Sequence, residues 1–165
     1  MNNKKPYIFL LVSVLIFTAS FYYSKAQPAR LTASQIVAVT NMARSRAGLP
    51  PLSVNNKLQS AAGEKSEDMG EKLYFSHENP DGLTPWYWFE KNRYSFLYAG
   101  ENLAINFTDS DKLLAAWLKS PEHKENILNP TYRDIGVDVK TLTVGGKTYT
   151  LVVQLFGTPN TLSMR

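Results

Sequence analysis

The chain has 165 residues and no cysteine, with 44% hydrophobic and 12% aromatic residues. This length and composition are typical of one globular domain with its own core. The absence of cysteine excludes disulfides, thiolate nucleophiles and cysteine-based zinc or iron–sulfur sites. It does not assign a compartment, because exported proteins can lack disulfides.

The formal charge of +4 is concentrated at the N-terminus. Lys4, Lys5 and Lys25 lie in a segment without acidic residues, and the rest of the chain has 15 basic and 14 acidic residues. No basic stripe remains in that part. The sequence therefore predicts no nucleic-acid partner.

Residues 1–26 have the pattern of a signal peptide or of an N-terminal membrane anchor. An apolar run, Pro6–Tyr23, follows the first two lysines and precedes the small residues Ser24 and Ala26. A small-x-small site indicates cleavage after Ala26, whereas the run is close to the length of about 20 residues that spans a bilayer. Both alternatives place the chain from residue 27 onward outside the cytoplasm, either secreted or anchored by the N-terminal segment.

Helical periodicity begins after a predicted linker at residues 27–34. Thr32 and Gln35 have the spacing of a capping box, which predicts a first helix ending near Gly48. A second helix is predicted from Asn55 to about Met69, because its apolar residues recur at helical spacing.

Two further helices are predicted from their caps. Pro85 is expected at the first helical position of a short helix, with Thr84 as its cap. The clearest helix runs to Ser120, with Thr108 or Ser110 as its cap, and Ser120 is then expected to cap the next helical turn.

The last third of the chain changes to a period of two. Apolar residues alternate from Ile135 to Val139, and Gly145 and Gly146 then separate them from a second strand-like run, which predicts a hairpin. Residues 97–105 are predicted to form another strand. The fold class is therefore α+β, with helices packed on a small antiparallel sheet.

Three polar residues are candidates for chemistry. His77 and His123 are the only histidines of the chain, and Glu101 lies within an apolar, strand-like stretch where a buried carboxylate needs a partner. His123 begins a short helix, whose dipole favours the neutral imidazole that binds a metal or acts as a base. The sequence leaves two interpretations open: a His/Glu/His cluster, or two hydrogen-bonded structural histidines and a paired glutamate.

Several separated motifs resemble bacterial SCP-like extracellular domains of the CAP superfamily. They include "SHENPDG", "GENLA", "WLKSPEHKENIL" and "VVQLFG", which occur in the family's order within residues 35–158. The matching residues are Asn41, Arg44, Gly48, Leu49, Leu52, Ser76, His77, Pro80, Gly82, Gly100, Glu101, Asn102, Trp117, Ser120, Pro121, His123, Asn126, Ile127, Leu128, Gln154, Phe156 and Gly157. Residues 159–165 are expected to be a C-terminal tail.

The resemblance implies an α-β-α sandwich with a central cleft. In eukaryotic members two histidines and two glutamates of this cleft can hold a divalent metal such as zinc, and His77, Glu101 and His123 match three of them. The fourth place, three residues after the tryptophan, is Ser120 here, as is common in bacterial members. Glu122 is either a partial substitute or an exposed acidic residue at the start of a helix. The predicted ligand cleft comprises Tyr74, His77, Glu101, Asn102, Ser120, His123 and Asn126.

The family resemblance favours an exported binding module for a lipid, a peptide or a cell-envelope ligand, with a cleft wall formed by Tyr74, Trp86 or Trp88. The alternative is a metal-dependent hydrolase in which His77, Glu101 and His123 hold zinc and leave one position open for water. No separate general base or nucleophile is evident for it. A structural role in the cell envelope, without a functional cleft, is the third interpretation, and no cofactor other than zinc is suggested.

Overall fold

The computed structural model describes residues 31–161. In chain order the elements are α1 (Ala33–Arg46), β1 (Ser53–Val54), α2 (Asn56–Glu71), α3 (Trp86–Lys91), β2 (Phe96–Ile105), α4 (Ser110–Lys119), α5 (Pro121–Ile127), β3 (Asp134–Val144) and β4 (Lys147–Pro159). The predicted signal peptide or anchor lies outside the described residues. Within them, no helix combines the length and the apolar character needed to cross a membrane.

The sheet has four strands in the order β1-β3-β4-β2. β4 pairs antiparallel with both β3 and β2, and the two-residue β1 adds a short parallel pairing to β3. Gly145 and Gly146 join β3 to β4 with φ angles of 57° and 77°, as the type I′ hairpin turn requires. The predicted hairpin and fold class are confirmed; β1 was not predicted, because two residues are too few to show a period.

Helices cover both faces of the sheet, so the α-β-α sandwich is confirmed. On one face α1, α4 and α5 pack against the apolar side chains of the sheet, including Val137, Val152 and Phe156. On the other face α2 and α3 pack against Leu151, Val153 and Leu155. Since neighbouring residues of β4 alternate between the two cores, this strand is the centre of the domain.

The first two helices begin close to their predicted caps. Thr32 accepts a hydrogen bond from the backbone N–H of Gln35 and α1 starts at Ala33, so the last two residues of the predicted linker belong to this helix. Asn55 caps α2 in the same way, through the N–H of Lys57.

Three predicted caps are wrong in detail. Asp109 caps α4 by accepting from Lys112 N at 2.9 Å, because Thr108 lies one residue too early and Ser110 is already helical. The side chains of Ser120 and Thr84 also form no capping bond: α5 has no side-chain cap, and Thr84 offers its backbone carbonyl to Tyr87 N ahead of α3.

Candidate functional site

His77 and Glu101 form the centre of the candidate site. The His77 Nδ1 atom lies 2.6 Å from Glu101 Oε1. The His77 side chain is 60% exposed, whereas that of Glu101 is only 2% exposed. β2 therefore supplies a buried carboxylate, and the loop after α2 places an exposed imidazole against it. Because Nδ1 is occupied by this bond, Nε2 is the ring nitrogen of His77 that faces no protein partner among the described residues.

A buried lysine supports the loop that carries His77. Lys65 is 1% exposed and donates hydrogen bonds to the His77 carbonyl at 2.7 Å and to the Tyr74 hydroxyl at 3.1 Å. Its ammonium group also lies 4.4 Å from the centre of the Trp88 ring, which is a favourable cation–π distance. Lys65 therefore fixes the backbone of His77 and adds a positive charge close to Glu101.

α5 and the end of α4 bring His123 to the same site. The His123 ring stacks on that of Trp117, with centroids 6.3 Å apart and an angle of 29° between the planes. Trp117 is itself fixed by a bond from its Nε1 to the Leu103 carbonyl in β2 at 3.1 Å. Since Leu103 is two residues from Glu101 on the same strand, this bond ties the position of His123 to that of the carboxylate.

A buried chain of amides holds the neighbouring backbone. Asn102 donates to the His123 carbonyl at 3.2 Å and to Gln154 at 3.1 Å, and Gln154 donates to the Thr40 hydroxyl. Asn126 donates to the side chain of Asn102 and to the carbonyl of Glu101. These bonds connect α1, β4, β2 and α5, so the site is held by the core rather than by loops alone.

Two buried atoms at this site have no hydrogen-bond partner within the described part of the chain. They are Glu101 Oε2 and His123 Nδ1. Buried polar atoms are nearly always paired in folded proteins, so an unpaired one needs an explanation. The two atoms belong to adjoining elements, and each belongs to a residue that was predicted to line the cleft.

The pKa values of the two histidines are shifted in opposite directions. The hydrogen bond that His77 Nδ1 donates to the Glu101 carboxylate raises the pKa of His77 above its usual value. Burial, followed by the charge of His77, lowers the pKa of His123. Burial also raises the pKa of Glu101, although His77 and Lys65 partly offset this effect. Between the pKa values of the two histidines, His77 is protonated and His123 is neutral.

An NMR titration of the two imidazoles tests this asymmetry. We expect the His77 ring to titrate above a pH of about 6.5 and the His123 ring below it. Replacing Glu101 by glutamine removes the carboxylate, so the His77 midpoint should fall towards the unperturbed value, while Glu122→Gln should move it much less. Equal midpoints for both rings in the unmodified protein would contradict the geometry.

Three residues of the predicted cleft make other contacts or mark a joint in the fold. Asn102 is fully buried and acts within the amide chain. Tyr74 is half-buried, and its hydroxyl donates to Asp68 at 2.6 Å. Ser120 forms the joint between α4 and α5, and in the described residues its side chain makes no hydrogen bond to His77, Glu101 or His123.

Within residues 31–161, no three histidine, aspartate or glutamate side chains are grouped so that they could hold one metal ion. The predicted set of His77, Glu101 and His123 is not such a group, and the zinc site stays a prediction.

Lys65 is the site residue that the sequence analysis missed. It lies four residues after Ala61 and four before Met69, on the buried stripe of α2. A lysine at a core position of an amphipathic helix is rare unless it is paired, and this was the signal that could have revealed it.

The sequence was compared with known protein families, and the match includes the residues of the candidate site. The sequence profile of the cysteine-rich secretory protein (CAP) family matches residues 37–156. The chain belongs to the CAP family. The resemblance predicted from the separated motifs is thereby confirmed, although this CAP domain has no cysteine.

Three relatives are informative for this CAP domain. It is 37% identical to the uncharacterised protein YkwD of Bacillus subtilis over 62% of its own length and 40% of that protein. It is 34% identical to an extracellular protein with an SCP domain from Bacillus anthracis, with a TM-score of 0.64, covering 76% of this chain and 39% of that one. It is 25% identical to an outer surface protein of Borrelia burgdorferi, with a TM-score of 0.67, covering 81% of this chain and 100% of the other. The chain thus spans about two fifths of the length of YkwD and of the B. anthracis protein.

Proposed function

We propose that this CAP domain acts outside the cytoplasm as a binding module that anchors a peptide-like ligand at Glu101 and His123. The observation that carries the proposal is the pair of buried, unpartnered atoms, Glu101 Oε2 and His123 Nδ1. Because both atoms are buried in the free protein, a ligand would satisfy them by inserting hydrogen-bond donors beneath the exposed His77 side chain.

The charges around Glu101 favour a neutral donor over a cation. Glu101 lies beside two basic groups, the buried ammonium of Lys65 and the His77 imidazole, whose pKa Glu101 raises. Its negative charge is therefore already balanced, and an additional cation would be repelled by both neighbours. Amide N–H or hydroxyl groups fit this environment, and a peptide supplies them in series.

An extracytoplasmic location is supported by two independent observations. The apolar run from Pro6 to Tyr23 has the composition of a signal or an anchor. Two structural relatives are described as an extracellular protein and an outer surface protein. Export of this chain is part of the proposal.

Calorimetry on the full-length chain in lipid nanodiscs tests the proposed ligand class. The probes are N-acetylated, C-amidated tetrapeptides with varied side chains, and zinc chloride serves as the competing probe. We expect a peptide to bind and Glu101→Gln to weaken it at least about tenfold, because a hydrogen bond to a charged group contributes roughly 1.5–3 kcal/mol.

The matched control is Glu122→Gln, which removes the neighbouring exposed carboxylate and should leave the peptide affinity unchanged. If no peptide binds, or if both variants weaken binding equally, the proposal fails. If zinc alone binds and both histidines are needed for it, the site is a metal site that rearranges on binding.

A further inference from the structure

A second surface, which shares Tyr74 with the predicted ligand cleft, combines an open apolar groove with exposed large side chains. The groove has a volume of about 210 Å³. Its lining consists of Met69, Leu73, Tyr74, Phe75, Ile105, Leu142, Val144, Tyr149 and Leu151. Three of these are well exposed: Leu73 at 65%, Phe75 at 45% and Val144 at 37%. We call this surface the hairpin-end groove, because β3 and β4 meet there.

Leu73 carries the chain from the end of α2 into the groove. Leu73 has a φ angle of 54°, in the left-handed region that is uncommon for residues with a branched or bulky side chain. This residue follows the end of α2 and directs the chain into the loop that carries Phe75. The positive φ belongs to the C-terminal cap of α2, in which Tyr74 N donates to the Met69 carbonyl at 3.2 Å. The exposed leucine adds apolar surface that a partner can cover.

The position of α1 indicates where the described part of the chain begins. Near the end of α1, Arg44 donates to the carbonyls of Ile127 and Asn129, which precede the start of β3. α1 has 14 residues and is therefore about 21 Å long. Since Thr40 meets Gln154 near the middle of the sheet, the first residues of α1 lie on the hairpin side of this contact, on the sheet face opposite the groove.

The tether between the apolar run and the domain is short. Seven residues separate Tyr23 from Leu31, where the described part of the chain begins. Fully extended, this stretch spans at most about 30 Å. If residues 6–23 remain as an anchor, the hairpin end of the domain is held close to the bilayer surface at a high effective concentration.

Lys147 places a positive charge beside the groove, where it can contact lipid phosphates. Lys147 is opposite Val144 at the turn of the hairpin and forms no ion pair within residues 31–161. A lysine with a long apolar stem can reach lipid phosphates while its neighbours enter the boundary between head groups and acyl chains. A lipid surface therefore matches both the apolar lining and the free charge at its edge.

We propose that the hairpin-end groove rests on the extracytoplasmic leaflet of the membrane that residues 6–23 anchor, with Leu73, Phe75 and Val144 entering the interface. The occupant is the bilayer itself. Contact through this surface would orient the domain on the membrane. It does not depend on the proposed binding function, because its residues other than Tyr74 are separate from the candidate site.

The absence of cysteine makes a direct test possible. Single cysteines are introduced as Val144→Cys and, at the other end of β3, as Val54→Cys; Val54 is 56% exposed and pairs with Ile135. Each variant of the full chain carries a nitroxide label in vesicles of phosphatidylethanolamine and phosphatidylglycerol. Accessibility to oxygen, which concentrates in the bilayer, is compared with accessibility to a water-soluble nickel chelate.

We expect the label at 144 to favour oxygen and the label at 54 to favour the nickel chelate. Adding Leu73→Asp and Phe75→Asp to the Val144→Cys chain should reverse the preference at 144, with unchanged far-ultraviolet circular dichroism. A water-exposed label at 144 in the otherwise unmodified groove overturns the proposal. A label there that neither reagent reaches also overturns it, because the groove is then covered by protein.

Discussion

Replacing Gly136 by alanine is expected to lower the free energy of unfolding by about 3 kcal/mol. A Cβ atom at this position would lie 2.2 Å from the backbone carbon of Leu58 and 2.3 Å from its oxygen. Both atoms belong to the backbone of α2, which cannot give way as a flexible side chain does. The helix would have to shift away from β3, and the contacts of Leu58 with the core would be lost.

The close approach of α2 to β3 also lets a side chain of the helix bond to the backbone of the strand. The Gln59 side chain donates to the Val137 carbonyl and accepts from the Val137 N–H, beyond the point where β1 ends. A shift of α2 would separate these groups and leave both backbone atoms of Val137 unpaired. Urea unfolding monitored by tryptophan fluorescence measures the combined effect through the transition midpoint.

Gly63→Ala is the matched control for this prediction. Gly63 lies within the same helix, and an added Cβ would meet no atom within 4 Å. Alanine there should raise the free energy of unfolding by about 0.5–1 kcal/mol, because glycine is a poor helix former. Equal stability of the two variants would show that α2 and β3 are not in close contact.

Arg44→Leu is expected to lower the free energy of unfolding by about 3 kcal/mol. Arg44 is fully buried, and burial lowers its pKa. Its guanidinium donates to the carbonyls of Pro50, Ile127 and Asn129 at 2.8–3.0 Å. Leucine would leave these three carbonyls without their donor.

The control is Arg46→Leu, two residues along the same helix. Arg46 is exposed, so its replacement should change stability by less than about 0.5 kcal/mol. The comparison is made by thermal unfolding in one buffer. Similar losses for both arginines would argue that general charge, and not the bonds of Arg44, is responsible. Because Ile127 ends α5, Arg44→Leu should also broaden the NMR signals of His123.

The sequence predicted the elements better than their ends. The helices and the hairpin repeat their apolar pattern over many residues, whereas a cap depends on one side-chain bond. Asp109, Thr108 and Ser110 are all good capping residues, and only the backbone geometry decides among them. β1 escaped prediction because its two residues pair with β3 through the fold and not through a local pattern.

The candidate site was predicted from motifs and not from local chemistry. His77 lies 24 residues before Glu101, which lies 22 residues before His123, so no single helix or turn brings them together. The residues alone left a His/Glu/His cluster as one of two interpretations, and the family resemblance favoured it. The resemblance did not reveal that Lys65 lies beneath His77, which changes the charge of the site. Nor did it reveal that two atoms there lack partners, since this depends on distances of a few tenths of an ångström.

In the proposed function, Glu101 Oε2 and His123 Nδ1 accept hydrogen bonds from neutral donors of a ligand. The most direct measurement is the imidazole ¹⁵N spectrum of the full chain in nanodiscs, with and without a saturating tetrapeptide. We predict that the peptide shifts the Nδ1 resonance of His123, and that Glu101→Gln removes this shift at the same peptide concentration. An unchanged His123 resonance with every peptide, together with zinc-induced shifts of both histidines, would contradict the claim.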